Sequence, residues 1–313
     1  MKKRKIKKSV IKKAIILLII IIAIIATKIT ISTIKYHKTN EYKLKKIGYT
    51  IEEIGIITND SDENINYVLT NEYNQTIIDI MNQKYYLQKN LEKYVNYKKE
   101  HEEKSLEEVI RTININRDKE FYTEIKETKV EQKELMLVNK YNKLPESYEP
   151  ENIINIPLAY SYSGNKTSQE ALEYYKKMHE AAKQEGINLV ISSAYRSYQE
   201  QQETYDEYEQ IKGDGIENYA ARPGHSEHQT GLAFDILTLG VTTTKFDQTE
   251  EFNWLKENSY KYGFILRYPK GKEDITGYDY ESWHYRYVGE QAAKIIHNED
   301  LTFEEYYAYY IEK

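Results

Sequence analysis

An unbroken apolar run, Ala14 to Ala26, preceded by eight basic side chains and no acid in residues 1–13, constrains this chain before anything else. A basic flank ahead of an apolar run holds the N-terminus in the cytoplasm and sends the rest across the membrane. Thirteen apolar residues fall short of the ~20 that span a bilayer. Continuing to Ile34 supplies the length if Lys28 snorkels to the far interface. The expectation is a basic cytoplasmic tail over 1–13 and a single-pass transmembrane signal anchor over 14–34. The rival is a cleaved signal peptide, for which Ile24-Ile25-Ala26 is a poor site because a branched Ile stands where a small residue is wanted. Both readings put the chain from residue 35 onward outside the cytoplasm, and the first ties it to the cell membrane.

The exported portion contains no cysteine, which excludes disulfides, thiolate metal sites and lipid attachment through an N-terminal Cys. Any metal must therefore be held by His and carboxylates. Net charge is −6 over the 313 residues, and −14 once the eight cations of residues 1–13 are set aside. An acidic exported portion argues against nucleic-acid binding, which needs basic faces. Tyrosine is abundant at 32 residues, which reads as compositional bias plus packing.

Residues 35–130 read as a helical spacer or wall-binding region. Thr50-Ile-Glu-Glu53 and Ser105-Leu-Glu-Glu108 fit capping boxes, and Ile77, Ile78, Met81 and Leu106, Val109, Ile110 recur at helical spacing. Pro145, Pro150 and Pro157 mark an extended lead-in to a second domain, 131–313. There Thr167-x-x-Glu170 suggests a capping box, and Leu172, Tyr175, Met178 and Ala182 one helix face that Gly186 ends. Strands are expected at Asn188–Ala194, Leu232–Ile236, Phe264–Tyr268 and Trp283–Val288, with helices over Tyr198–Ile211 and around Gln248–Tyr262. Two short helices finish the chain. The fold class is α+β, a small antiparallel sheet with flanking helices, preceded by a transmembrane helix and an α-helical region.

Three segments carry chemistry: Ser226-Glu-His228-Gln-Thr-Gly231-Leu-Ala233-Phe-Asp235, Glu281-Ser-Trp-His284 and Ser193-Ala-Tyr-Arg196-Ser-Tyr-Gln-Glu-Gln201. Gly231 permits a turn that brings His228 back over the strand bearing Asp235, where Ala233 on the same face leaves room. A catalytic zinc wants three protein ligands and one open position, and His228, Asp235 and His284 supply that number with suitable donors. The metal lowers the pKa of its water toward ~7, and a carboxylate must take the proton as that water attacks. Glu281, three residues before a ligand, is placed for this. Attack on an amide builds negative charge on the carbonyl oxygen, and Arg196 is the candidate cation to meet it. His225 could also line the site or replace a ligand. Trp283 reads as a pocket-wall aromatic, and Tyr285 and Tyr287 as packing residues.

Ser-x-His-x-x-Gly-x-Ala-x-Asp followed by Glu-x-Trp-His resembles the VanY-type D-alanyl-D-alanine carboxypeptidases, which are grouped with VanX-type dipeptidases, L,D-carboxypeptidases and some phage endopeptidases. The resemblance covers roughly Leu137–Gly289, including Tyr195-Arg-Ser-Tyr198 and His284-Tyr-Arg-Tyr-Val-Gly289. It implies Zn2+ on His228, Asp235 and His284, a general base at Glu281 and transition-state stabilisation by Arg196. It also implies that Ser226 and Gln201 contact the terminal carboxylate or D-Ala side chain of a peptidoglycan stem peptide. Ser282 departs from the proline of many relatives but removes no functional group. D,D-cleavage, L,D-cleavage of a tetrapeptide and a non-catalytic wall-binding role are the readings to separate.

Overall fold

The computed structural model describes residues 7–213 and 215–312, so Lys2, Lys3, Arg4 and Lys5 of the expected basic tail lie outside the described residues. Helix α1 (Lys8–His37) is continuous and takes in the apolar run on both sides. Its described side chains are exposed, and it is long and apolar enough to cross a membrane, a test that a signal sequence also passes. Three threonines interrupt its apolar surface. Each hydroxyl donates to the carbonyl one turn back: Thr27 to Ala23, Thr30 to Ala26 and Thr33 to Ile29, at 2.8, 2.9 and 2.9 Å. Satisfied inside the helix, these hydroxyls cost little in an apolar medium.

One compact unit ends at Ile110 and a second begins at Arg111. In the first, α2 (Asn40–Ile47), α3 (Ile51–Thr58), α4 (Asp62–Leu69), α5 (Gln75–Met81) and α6 (Leu91–Glu100) are short helices. Side chains of Thr39, Thr50, Ser61 and Asn74 cap the first four. The expected Thr50–Glu53 box closes in both directions, and the Ser105–Glu108 box opens α7 (Leu106–Asn114). Leu44, Ile57, Val68, Ile80 and Tyr94 are buried in this unit.

The second unit starts with two small ribbons: β1 (Lys126–Glu127) with β2 (Asn142–Lys143) in parallel, and β3 (Ile153–Asn155) with β4 (Lys166–Ser168) antiparallel. Helix α8 (Gln169–Gln184) begins one residue later than the capping box expected. Ser168 caps it, because the Thr167 hydroxyl is already donating to the Gly231 carbonyl at 2.8 Å. The chain continues through β5 (Val190–Ser193), α9 (Tyr198–Lys212), the single turn α10 (Ile216–Tyr219) and β6 (Ala233–Leu237). Then follow α11 (Thr243–Phe246), α12 (Glu250–Asn258), β7 (Phe264–Tyr268), α13 (Glu273–Thr276), β8 (Glu281–Tyr287), α14 (Glu290–Asn298) and α15 (Phe303–Tyr306).

Strands β5, β6, β8 and β7 lie side by side in that order, each pair antiparallel. This is the small antiparallel sheet expected of an α+β domain. Leu172, Tyr175, Met178 and Ala182 of α8 are buried in one core with Ile191, Phe234, Ile236 and Phe264 of the sheet. Tyr175 packs edge-on to Phe234 with ring centroids 5.6 Å apart. With one sheet face committed to this core, the alternate residues of β6 and β8 are left to build a site. Tyr306, Tyr307 and Tyr309 near the C-terminus are buried.

Candidate metal centre

Asp235 of β6 stands directly opposite His284 of β8, so their side chains share one face. His284 Nδ1 lies 3.2 Å from Asp235 Oδ1. His228 comes from the loop before β6. Ser226 Oγ accepts from the His228 backbone N–H, Glu227–Thr230 form a 3-10 turn, and Gly231 closes it with φ at +69°. A Cβ on Gly231 would lie 2.7 Å from Ile153 Cδ1, so only glycine fits this left-handed position without displacement. The turn sets His228 Nε2 3.5 Å from Asp235 Oδ2. His228 Nδ1 donates to the Ala194 carbonyl at 2.5 Å, which leaves the Nε2 lone pair facing inward.

Glu281 reaches this face through an irregularity. Three residues apart on a regular strand, Glu281 and His284 would point to opposite faces. The β7–β8 register shifts between Leu266↔Tyr285 and Tyr268↔Glu281, so β8 holds extra residues there. Glu281 Oε2 consequently lies 3.5 Å from His284 Nδ1. Arg196 enters from the β5–α9 junction, its backbone N–H donating to the His228 carbonyl at 3.2 Å. Its guanidinium donates to Gln201 Oε1 at 2.7 Å and to Ser193 Oγ at 3.3 Å. Gln201 Nε2 donates to the Ala221 carbonyl at 2.7 Å, so this buried amide is engaged at both ends. All seven expected site residues, Arg196, Gln201, Ser226, His228, Asp235, Glu281 and His284, line one cleft of about 180 Å³, with Tyr208, Tyr219 and Trp283 on its walls.

The electrostatics are those of a cation site. His228, Asp235 and His284 offer one ligand atom each, all within 4.8 Å of one another. Asp235 Oδ1 is buried without a hydrogen-bond partner among the described residues, despite facing His284. Burial opposes its charge, yet the neighbouring His228 and His284 hold the Asp235 carboxyl far below the usual range. Burial pulls the His228 imidazole down. Burial also opposes charge on His284, but contacts with Asp235 and Glu227 outweigh it and raise the imidazole to about 9. Burial, reinforced by the Asp235 charge against the opposing pull of His284, pushes the Glu281 carboxyl up to about 8. A buried carboxylate with one oxygen that no hydrogen bond satisfies, beside two imidazoles, fits a divalent ion with nitrogen and oxygen ligands.

His225 does not join this group. It is buried with Nδ1 2.7 Å from the Asn139 carbonyl and its ring edge-on to Tyr122. What sequence reading missed is Glu227, inside the first motif, and its fully buried partners Arg267 and Arg286. Burial opposes its charge, but the two guanidinium groups hold the Glu227 carboxyl well below the usual range. Nothing in the spacing marks it, although Arg267 and Arg286 do stand on strands whose other residues are largely apolar or aromatic.

Residues 164–290 match the family model described as VanY: D-alanyl-D-alanine carboxypeptidase. The protein YodJ of Bacillus subtilis (strain 168) is 45% identical over 181 residues, 55% of this chain and 66% of that protein. The bifunctional D-Ala-D-Ala dipeptidase and D-Ala-D-Ala carboxypeptidase VanXYC of Enterococcus gallinarum is 32% identical over 183 residues, 56% of this chain and 94% of that protein. Among solved structures, the LdcB LD-carboxypeptidase superposes with a TM-score of 0.56 at 42% identity, covering 60% of this chain and 91% of that one. The chain spans just under two thirds of the length of the first curated relatives it matches.

Proposed function

Because the chain belongs to the VanY-type D-alanyl-D-alanine carboxypeptidase family, we propose that it is a zinc-dependent carboxypeptidase that removes the C-terminal D-Ala from peptidoglycan stem peptides or their precursors. The observation that carries this reading is the buried, unbonded Asp235 oxygen between two histidines, with Glu281 beside it in the same cleft. His228, Asp235 and His284 would hold Zn2+, which in such a site would supply Lewis acidity and lower the pKa of water toward ~7.

Glu281 is the general base. It accepts a proton from the attacking water and returns it to the amine of the leaving D-Ala, as the new C–O bond forms and the amide C–N bond breaks. Its burial, which raises its affinity for that proton, suits both transfers. Arg196 meets the negative charge that develops on the amide oxygen. Gln201 and Ser193 keep that guanidinium aimed, so little reorganisation is needed when the charge appears. Ser226 and Gln201 lie beside the terminal carboxylate or D-Ala side chain. The N-terminal helix serves as a single-pass anchor or as an export signal, and either places the enzyme outside the cytoplasm. Residues 35–130 act as a spacer or wall-binding region ahead of the catalytic domain.

L,D-cleavage of a tetrapeptide is the second reading, favoured by the similarity to the LdcB LD-carboxypeptidase. The full-length protein in detergent, loaded with zinc, is to be given a pentapeptide ending D-Ala-D-Ala and a tetrapeptide ending L-Lys-D-Ala, with products read by mass. The expected result is loss of one D-Ala from the pentapeptide, with Glu281→Gln slower by about 10²- to 10⁴-fold. Release from the tetrapeptide alone establishes the second reading. No release from either by the folded, zinc-loaded protein refutes both.

A further inference from the structure

We infer that Glu227 is a positioning residue whose carboxylate, held between two buried guanidinium groups, aims the His284 imidazole at the metal centre. The inference rests on the metal reading of His228, Asp235 and His284.

The two oxygens of Glu227 do different things. Oε1 accepts from Arg267 Nε at 2.7 Å and from Arg286 Nη1 at 3.0 Å. Oε2 accepts no hydrogen bond from any described residue, and it lies 3.5 Å from His284 Nε2, which also has none. Both atoms are buried. At 3.5 Å this is a facing contact, longer than a well-formed hydrogen bond. Yet two buried polar atoms of complementary chemistry, each otherwise unsatisfied, leave one arrangement that serves both: a proton on Nε2 directed at Oε2. That tautomer leaves the lone pair on Nδ1, the nitrogen that faces Asp235 and Glu281. A carboxylate on the far nitrogen of a ligating histidine fixes the ring and raises its basicity as a ligand.

The clamp on Glu227 has no slack. Arg267 grips Glu304 of α15 with both terminal nitrogens, at 2.8 and 2.6 Å. Arg286 donates to the carbonyls of Glu134, Met136 and Tyr287 at 3.0, 2.9 and 3.0 Å. Neither guanidinium is exposed. As core filling this would be a poor choice, because apolar residues of similar volume generally serve stability as well as a buried ion network or better. A role in orienting the histidine accounts for its placement directly behind a ligand.

The test measures zinc dissociation constants of the full-length protein in detergent by chelator competition, with the visible absorption of the Co²⁺-substituted form as a second readout. Glu227→Gln should weaken zinc binding roughly 10- to 100-fold and alter the Co²⁺ spectrum. Glu227→Asp keeps the charge for both arginines but withdraws the carboxylate from His284. It should melt close to the parent and still bind zinc at least fivefold more weakly. Glu304→Gln perturbs the same network away from His284 and should lower the melting temperature while keeping zinc binding within threefold. Parental zinc affinity in Glu227→Asp overturns the inference, as does equal loss of affinity in Glu304→Gln and Glu227→Gln. His284→Ala is the reference: if it keeps parental zinc affinity, the metal reading itself has failed.

Discussion

Replacing Arg267 by methionine tests whether the buried ion network behind the site is as dry as the structure has it. Arg267 is fully buried and pairs with Glu227 at 2.7 Å and with Glu304 at 2.8 and 2.6 Å. Methionine fills much of the volume but removes the charge. Glu227 then keeps Arg286 as its one guanidinium, at 3.0 Å, beside the His284 contact at 3.5 Å, and Glu304 keeps a neutral contact from Asn139 at 3.3 Å. Orphaning a buried charge costs about 3–5 kcal/mol. For a unit of roughly 200 residues, each kcal/mol moves the melting temperature by about 2–4 °C, so the drop should fall between about 6 and 20 °C. Tryptophan fluorescence is the right assay, because both tryptophans, Trp254 and Trp283, lie in the second unit and report on it alone. Adding Glu304→Met to Arg267→Met removes the orphaned carboxylate as well and should recover a large part of the loss, which a double-mutant cycle measures. A cost below about 1 kcal/mol for Arg267→Met, the range of a solvated surface pair, refutes the reasoning.

Three further outcomes are expected. Arg196→Met should lower kcat by about 10²- to 10³-fold while leaving zinc affinity near parental, because in the proposed mechanism Arg196 meets the developing charge and is not a ligand; a kcat within threefold of parental removes it from catalysis. Burial pulls the His225 imidazole down to about 4, so the fold prefers it neutral. The unfolded chain then takes up the extra proton: no penalty exists above about pH 6.5, and stability falls by up to about 3 kcal/mol as pH drops toward 4. His225→Asn should flatten that part of the stability–pH curve, and an unchanged slope counts against the assignment. Gly231→Ala must place a Cβ 2.7 Å from Ile153 Cδ1 at a φ of +69°. It should cost roughly 1–3 kcal/mol in fluorescence melts and weaken zinc binding by displacing His228, whereas a parental melt would mean the turn adapts freely.

Much of the site was readable from residue order because its chemistry is local. The turn that carries His228 needs a glycine at a fixed place, and the strand after it needs a small residue beside Asp235, so a short motif contains two candidate ligands and the reason for their geometry. Helix faces such as Leu172, Tyr175, Met178 and Ala182 were readable for the same reason, since a 3.6-residue period is a property of sequence alone. The capping box at Thr167 failed because a distant carbonyl, that of Gly231, competed for the same hydroxyl and left the cap to Ser168. His225 was ambiguous until the Asn139 carbonyl took its ring nitrogen.

The sequence by itself determined the donor types, their order and spacing, and the apolar helix that precedes the folded units. Tertiary structure decided how those donors meet. The pairing of β6 with β8 sets Asp235 opposite His284, and the register shift in β8 turns Glu281 onto a face that a regular strand would deny it. The burial of Arg267, Arg286 and Glu304 around Glu227 arises only when β7, β8, α15 and the loop before β6 close on one another. Periodicity records which residues share a face of one element. It carries no information about which charges on separate elements will find each other in a place without water.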